Sequence, residues 1–332
     1  MASLGPILKT QGNRNTEYTV PLLWADLEPT HKAAVVEMSM RGFGQIRHLA
    51  TFSKPTVGLI TNIGYAHMLM VDSRQGVANA KGELLELLPN DGIAVLWHED
   101  DYLESLKSKS SAKTLTFGVD SGADCRVLDY KPLSWSSSDV SGICFGKSWH
   151  AKLPAVGRHI ALNAAAAVLV AAVLGIEPSE AASNLTEAVL PPLRMEVIER
   201  DGVTILLDTY NASPPSMIAA IETLGELPVQ GRRLAVIGEM KELGEYTEEA
   251  HRSVGISLAC SSIEHVLFYG SATAIAADVA IIKGMSANSI SVTQSLEGVK
   301  AFLESAQPGD VVLIKGSRSL ELERAVEMRG AH

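Results

Sequence analysis

The sequence predicts an α/β protein built around parallel sheets, and three observations carry that prediction. Apolar runs of strand length alternate with helical spacing along most of the 332 residues, the pattern of a parallel sheet covered by helices. A polar stretch, Lys107–Lys113 (KSKSSAK), gives way up to about Gly157 to short strands with Gly and Ser turns, which fits a small antiparallel section. The Pro191-Pro192 pair then breaks the chain, because proline neither continues a helix nor donates a backbone hydrogen bond. Beyond it the alternation resumes. The predicted domains are therefore residues 1–190 and 191–332, both of ordinary domain size.

Each element has its own signal. Ala34–Glu37 and Val57–Thr61 read as buried strands, Ser73–Leu88 as a helix and Gly92–Leu96 as a strand. His159–Leu174 and Pro178–Val189 read as helices. The longest apolar stretch, Ile160–Gly175, is rich in Ala and interrupted by Asn163, so it predicts a buried helix and no membrane span. After the proline pair come a strand Val203–Asp208, a helix from Pro214, a strand Leu234–Gly238 and a helix from Thr247. A strand Val266–Tyr269, a helix Ala272–Ile282, a strand Val311–Lys315 and a helix from Ser319 complete a second, doubly wound domain.

Bulk properties exclude some functions. Hydrophobic residues make up 46% and charged residues 20%, enough for a sizeable globular core. A net charge of -10 argues against wrapping a nucleic-acid backbone, which needs clustered Lys and Arg. The three cysteines, Cys125, Cys144 and Cys260, form no CxxC pair and no zinc spacing. They read as scattered thiols suited to a reducing cytoplasm. The first fifteen residues lack a basic start followed by a long apolar core, so no signal peptide is expected.

Ligands of open α/β sheets bind at the carboxyl ends of strands. Polar residues that end apolar strands are therefore the first candidates: Glu37 after AAVV, Thr61-Asn62 after VGLI, Asp208 after VTILL, Glu239 after LAVIG and Lys315 after VVLI. Any one alone reads equally well as a helix cap or a solvated group; five in succession are harder to assign that way. With their neighbours they resemble the Mur ligase family. The matching segments are GNRNTEYTVPLL, VVEMSMRGFGQIRHLA, TNIGYAH, AKGELLELLPNDGIAVL, GRHIALNAAAA, LRMEVIERDGVTILLDTYNASPPSM, VIGEMKELGEYTEEAH and VVLIKGSRSLELE, in order from about Gly12 to Arg324. GEMKELG, DTYNASP and KGSR point to the member that adds D-Ala-D-Ala to UDP-MurNAc-tripeptide.

The resemblance implies a fold, a chemistry and a set of residues. The fold is a central ATPase domain with a P-loop-type parallel sheet, followed by a Rossmann-like C-terminal domain. The chemistry is ATP-dependent phosphorylation of a carboxylate, then attack of an amine on the acyl phosphate, with Mg²⁺ and placed donors neutralising the oxygens. Glu37 and His67 match metal ligands of the family, and Lys81 matches a lysine that is carbamylated there into a third, anionic ligand. On the residues alone, Lys81 with Glu83 and Glu86 also reads as a solvated helix face. Asn163 and Asp208 match nucleotide positions, and Arg194 matches an arginine at the domain junction. Tyr210, Asn211, Lys315, Ser317 and Arg318 match the segments that close over ATP and the dipeptide. Asn211 alone also reads as a turn former before Pro214. The family member is expected to work in the cytoplasm, as a monomer when complete.

The sequence departs from the family at several places. A GxxGKT phosphate loop precedes the GNRN segment in the family, as does a substrate domain; here the eleven residues before Gly12 contain neither. The segment Gly146-Lys147-Ser148 is no substitute: Ser141 stands where the loop needs a glycine, and the surroundings alternate like a strand. Tyr65, Trp97 and Ile160 replace a Pro and two Asn, Arg14 and Thr16 alter the Asn-rich segment, and Ser213 and Pro215 replace polar or acidic residues. The expectation is an N-terminally truncated ligase, inactive or nearly so alone. Two alternatives stand beside it: a non-catalytic scaffold that kept the fold, and an amide ligase for another carboxylate.

Overall fold

The computed structural model describes residues 4–65 and 68–327. They form two compact units. One takes residues up to 131 with 139–154 and 159–188; the other takes 132–138, 155–158 and the chain from 189 on.

The first unit opens with a parallel pair, β1 (Ile7–Lys9) and β2 (Ala33–Val35), separated in sequence by α1 (Val20–Ala25). Helix α2 (Gln45–Ser53) follows. A larger sheet orders β3 (Val57–Ile60), β4 (Ile93–Trp97), β5 (Lys113–Gly118), β6 (Cys125–Ser134), β7 (Ser137–Cys144) and β8 (Lys147–Leu153) side by side. The pairs β3–β4, β4–β5 and β5–β6 are parallel. The β3–β4 connection runs through α3 (Met68–Val71) and α4 (Arg74–Glu86), the β4–β5 connection through α5 (Leu103–Lys107), and β5 reaches β6 by a short loop. Phe145 and Gly146, with φ of 48° and 78°, make a two-residue turn between β7 and β8. Positive φ at both positions is the twist-matched hairpin geometry, so Lys147-Ser148 begin a strand as the alternation predicted.

Helix α6 (Arg158–Val173) supplies Ala161, Ala164, Ala165, Val168 and Leu169 to a core with Val95, Leu115, Phe117, Val127 and Trp149. Its alanines keep the packing face flat, which explains an apolar run without bulky residues. No helix among the described residues is long and apolar enough to cross a membrane. The next helix, α7 (Pro178–Ser183), is shorter than the spacing predicted and continues as a 3₁₀ turn to Glu187.

The second unit holds β9 (Glu196–Arg200), β10 (Val203–Asp208), β11 (Arg233–Gly238), β12 (His265–Tyr269), β13 (Ile290–Thr293) and β14 (Val311–Lys315). Their order is β13-β12-β11-β14-β10-β9, parallel except for β9 against β10. The helices are α8 (Pro214–Glu226), α9 (Thr247–Ala259), α10 (Ala274–Ile282), α11 (Leu296–Glu304) and α12 (Glu323–Glu327). On one face Val299, Leu303 and Ala325 pack on Ile205, Leu207, Val236, Val312 and Ile314. The alternate residues Leu206, Ala235, Phe268 and Leu313 are buried as well. Burial on both faces is why these strands read as unbroken apolar runs. Three elements lay outside the sequence expectations: β9, β13 and α11. The two strands are edges with no fully buried side chain, so they lack a clean period.

Asp310, just before β14, ties this sheet to its preceding loops. Its carboxylate is 2% exposed on the side chain and accepts the Arg232 amide at 2.7 Å, the Gln307 amide at 2.8 Å and the Arg232 guanidinium at 2.6 Å. Burial alone would raise its pKa, but these hydrogen bonds and the Arg232 charge hold it below the ordinary carboxylate range. The stability it supplies is therefore present above the unfolded aspartate pKa of about 4 and lost as pH falls through the lower folded value. Asp310→Asn is expected to cost about 1–3 kcal/mol at pH 7. Urea titrations across pH should show a shallower loss of stability below about pH 4 in the variant than in the parent chain.

Candidate functional site

Parallel strands end on the same edge of a sheet, and register decides which side chains meet there. In the second unit Asp208 at the end of β10 lies opposite Lys315 at the end of β14, which lies beside Ile237 of β11. Lys315 is 2% exposed. Its Nζ donates to Asp208 Oδ2 at 2.6 Å and to the Asn211 carbonyl at 2.9 Å. Burial lowers its pKa, Asp208 opposes that by attraction and hydrogen bonding, and Arg194 adds to the lowering by repulsion. An ammonium has three N–H donors, and two are committed within the described residues.

The neighbouring loops bring the remaining candidates of this unit to the same place. The Arg194 guanidinium lies over the Tyr210 ring, 4.2 Å from its centre, and the Tyr210 amide donates to the Leu193 carbonyl at 3.0 Å. Leu193 and Met195 flank the arginine with φ of 61° and 50°. Asn211 serves two ends: its carbonyl takes Lys315, while its side-chain oxygen accepts the Ala212 amide at 2.8 Å, a local turn. Ser317 Oγ accepts the Lys241 amide at 2.9 Å. Arg318 pairs with Glu323, whose other oxygen accepts the Thr209 hydroxyl at 3.2 Å. Glu239, 8% exposed, pairs with Lys241 and accepts the Ala272 amide at 3.2 Å. The sequence marked Glu239 as a strand-end residue but gave it and Lys241 no role.

The first unit holds the other candidates. Glu37 lies just beyond β2 and is exposed; its Oε1 accepts Asn15 Nδ2 at 2.7 Å and its amide donates to Thr10 Oγ1 at 3.0 Å. Asn15, which the sequence reading passed over, is thus the residue that orients the carboxylate. Lys81 on α4 is half-buried and donates from Nζ to the Asn62 carbonyl, past the end of β3, at 2.8 Å. Burial holds its ammonium below the ordinary lysine range, with Asp100 opposing. Asp100 Oδ2 in turn accepts the Ile63 amide at 2.7 Å, and Arg74 lies between the Tyr65 and Tyr102 rings at 4.9 and 5.1 Å. His67 lies outside the described residues. Asn163 occupies an exposed position on α6.

The solvated-face reading of α4 is corrected at Glu83. That residue is 6% exposed and accepts the Gly44 and Arg47 amides at 2.7 and 3.0 Å, satisfying donors at the start of α2. Among the described residues no group of three or more His, Cys, Asp or Glu is placed to hold a metal ion. Glu37 offers one anionic donor, and Lys81 becomes another only if its amine is carbamylated.

Comparisons with known proteins give the same picture from outside. Residues 1–171 match the Mur ligase middle domain, and residues 193–318 match the Mur ligase, glutamate ligase domain. The UDP-N-acetylmuramoyl-tripeptide–D-alanyl-D-alanine ligase of Bacillus subtilis is 33% identical over 96% of this chain and 69% of its own length. A crystal structure of MurF from Acinetobacter baumannii superposes with a TM-score of 0.89 at 27% identity, covering 98% of this chain and 71% of that one. MurF ligase from Thermotoga maritima in complex with ADP gives a TM-score of 0.83 at 30% identity, covering 97% of this chain and 72% of that one.

The buried pair makes a direct prediction. Asp208→Asn leaves the Lys315 ammonium without its anion and is expected to destabilise the second unit by about 3 kcal/mol. Lys315→Met added to it should recover part of that loss. A double-mutant cycle by urea denaturation should return a coupling of about 1–3 kcal/mol; additive losses would mean the two groups do not act as a pair.

Proposed function

The chain belongs to the Mur ligase family, and we propose on that premise that it takes part in the reaction named for its relatives. That reaction is ATP-dependent amide-bond formation between UDP-MurNAc-tripeptide and D-Ala-D-Ala, through an acyl phosphate. It serves peptidoglycan precursor synthesis, and through it cell-wall growth, cell shape and division. The proposal includes a cytoplasmic, monomeric enzyme and a division into domains at 190/191.

The observation that carries the reading is Lys315, an ammonium held inside a strand-end site by Asp208 and the Asn211 carbonyl, with one N–H uncommitted among the described residues. Such a group suits a phosphate oxygen, because its charge acts in a weakly screened setting and its position is fixed before the ligand arrives. Ser317, Arg318, Tyr210 and Arg194 surround the same strand ends and are assigned to ATP and the dipeptide. Asp208 and Asn163 are assigned to the nucleotide. Arg194, stacked on Tyr210, is assigned a catalytic role at the transferring phosphate.

On the metal side, Glu37, His67 and carbamylated Lys81 would hold Mg²⁺, which when bound neutralises phosphate oxygens. What supports that assignment is the setting of Lys81, whose Nζ donates to the Asn62 carbonyl at 2.8 Å. Only the neutral amine adds CO₂, losing one N–H proton to solvent as the N–C bond forms, and burial shifts this lysine toward the neutral form. Lys81 then gains negative charge, while its neighbour Asp100 is already committed to the Ile63 amide.

Two experiments test the proposal. Titration calorimetry of Mg·ADP into the parent chain and into Lys315→Met should show at least a tenfold loss of affinity in the variant. The part of the Bacillus subtilis relative that this chain does not cover, added in trans, should restore phosphate release dependent on both UDP-MurNAc-tripeptide and D-Ala-D-Ala. No nucleotide binding and no recovery would favour a scaffold; recovery with a different carboxylate would reassign the substrate. Separately, ¹³C-bicarbonate should give a carbamate resonance that grows as pH rises through the Lys81 pKa and is absent in Lys81→Arg.

A further inference from the structure

The loop after β11 carries Glu239, Met240 and Lys241 to the Ser317 side of the site, and one buried side chain holds its centre. His251 on α9 is 1% exposed. Its Nδ1 faces the Thr247 carbonyl at 2.7 Å, and its Nε2 lies 3.2 Å from the Met240 amide nitrogen. A carbonyl only accepts and an amide N–H only donates, so the two partners leave one arrangement: the proton sits on Nδ1 and the lone pair on Nε2. Burial supports the neutral ring by lowering the histidine pKa; the Thr247 bond and Glu239 oppose, and Lys241 adds to the lowering.

The amides on either side of Met240 show what this bond controls. The Glu239 amide donates to the Tyr269 carbonyl at 3.1 Å, a β12 partner. The Lys241 amide donates to Ser317 Oγ at 2.9 Å, and the Ser317 amide donates back to the Glu239 carbonyl at 3.3 Å. Glu242 and Gly244 then turn the chain with φ of 62° and 57° before it enters α9. A hydroxyl has one proton and two lone pairs. Once a lone pair of Ser317 Oγ is occupied by the Lys241 amide, its proton is directed elsewhere and is available as a donor.

We propose that His251 is a positioning residue that sets Ser317 as a hydroxyl donor to an anionic oxygen of the ligand, acting through the Met240–Lys241 backbone. The ligand is a phosphate or acyl phosphate oxygen, and this step of the inference rests on the nucleotide assignment made above. His251 itself touches no ligand. Its effect passes from ring to amide to hydroxyl, all within one unit.

The test has an arm that does not depend on any ligand. In the ¹⁵N-histidine-labelled chain, the His251 ring is expected to show a protonated Nδ1 and an unprotonated Nε2 at neutral pH. Removal of the ring in His251→Ala should speed hydrogen exchange at the Met240 and Lys241 amides about tenfold while the β11 amides Ala235 and Val236 stay protected. His251→Gln, whose side-chain oxygen can accept from the Met240 amide, should restore protection to within a few-fold. Mg·ADP affinity should follow the same order, falling about tenfold in the alanine variant and recovering in the glutamine variant. A ring protonated on Nε2, or loop protection unchanged in His251→Ala, overturns the proposal. Altered exchange with no change in affinity confines His251 to the loop and overturns its role toward Ser317. If the parent chain binds no nucleotide, the assignment above fails, while the tautomer and exchange results still decide whether His251 holds the loop.

Discussion

An ammonium group is stable inside a sheet only where an anion and further acceptors meet it, and the second unit is arranged around that requirement. Lys315 ends the most buried strand of the sheet. Strand β10 must pair with β14 in the register that places Asp208 opposite it, and the chain after β10 must turn back so that the Asn211 carbonyl faces the same nitrogen. A slip of one residue would move Asp208 to the other face of the sheet. The register is thus specified twice, by the apolar residues that fill both faces and by one charge pair. The loops that gather at this edge, from Thr209 to Ser213, from Glu239 to Tyr246 and from Gly316 onward, start from strand ends that the pair has already aligned.

The first unit solves a related problem with carboxylates. Glu83 and Asp100 are both buried, and both accept backbone amides at the beginnings of loops or helices. Glu83 thereby satisfies the start of α2, where Gly44 adopts φ of 83° and no local side chain caps the helix. Asp100 fixes the turn after β3, and Arg74, clasped by two tyrosines, fixes it from the other side. Lys81 reaches this turn through the Asn62 carbonyl. Its surroundings are rigid for reasons unconnected with its own charge, which suits a side chain whose charge is proposed to change.

Where the sequence was legible, the reason lies in burial. Strands buried on both faces, such as β10, β11, β12 and β14, announce themselves as apolar runs, and their last polar residues mark the binding edge. Edge strands do not: the exposed pattern of β13 has no period, although the Asp201-Gly202 pair between β9 and β10, with φ of 52° and 77°, carried a hairpin signal that was available to be read. The strand-end pattern led to Asp208 and Lys315, and the family segments added Lys81, which local spacing reads equally well as part of a solvated helix face. Contacts between distant residues stayed hidden. Nothing in the spacing of Glu83 from Gly44, or of His251 from Met240, says that a helix residue will accept a loop amide. Asn15 belongs to the same class, because its value to Glu37 comes from the meeting of two loops.

One quiet feature bears on how the chain behaves at the bench. Cys125 and Cys144 are buried in the strands of the first unit, whereas Cys260, at the end of α9, is exposed. With a single accessible thiol, air oxidation can link two copies and then stops, since the other two thiols of each copy are buried. Covalent pairs formed in storage would therefore be a discrete species removable by reductant, joined at the far end of the helix that bears His251.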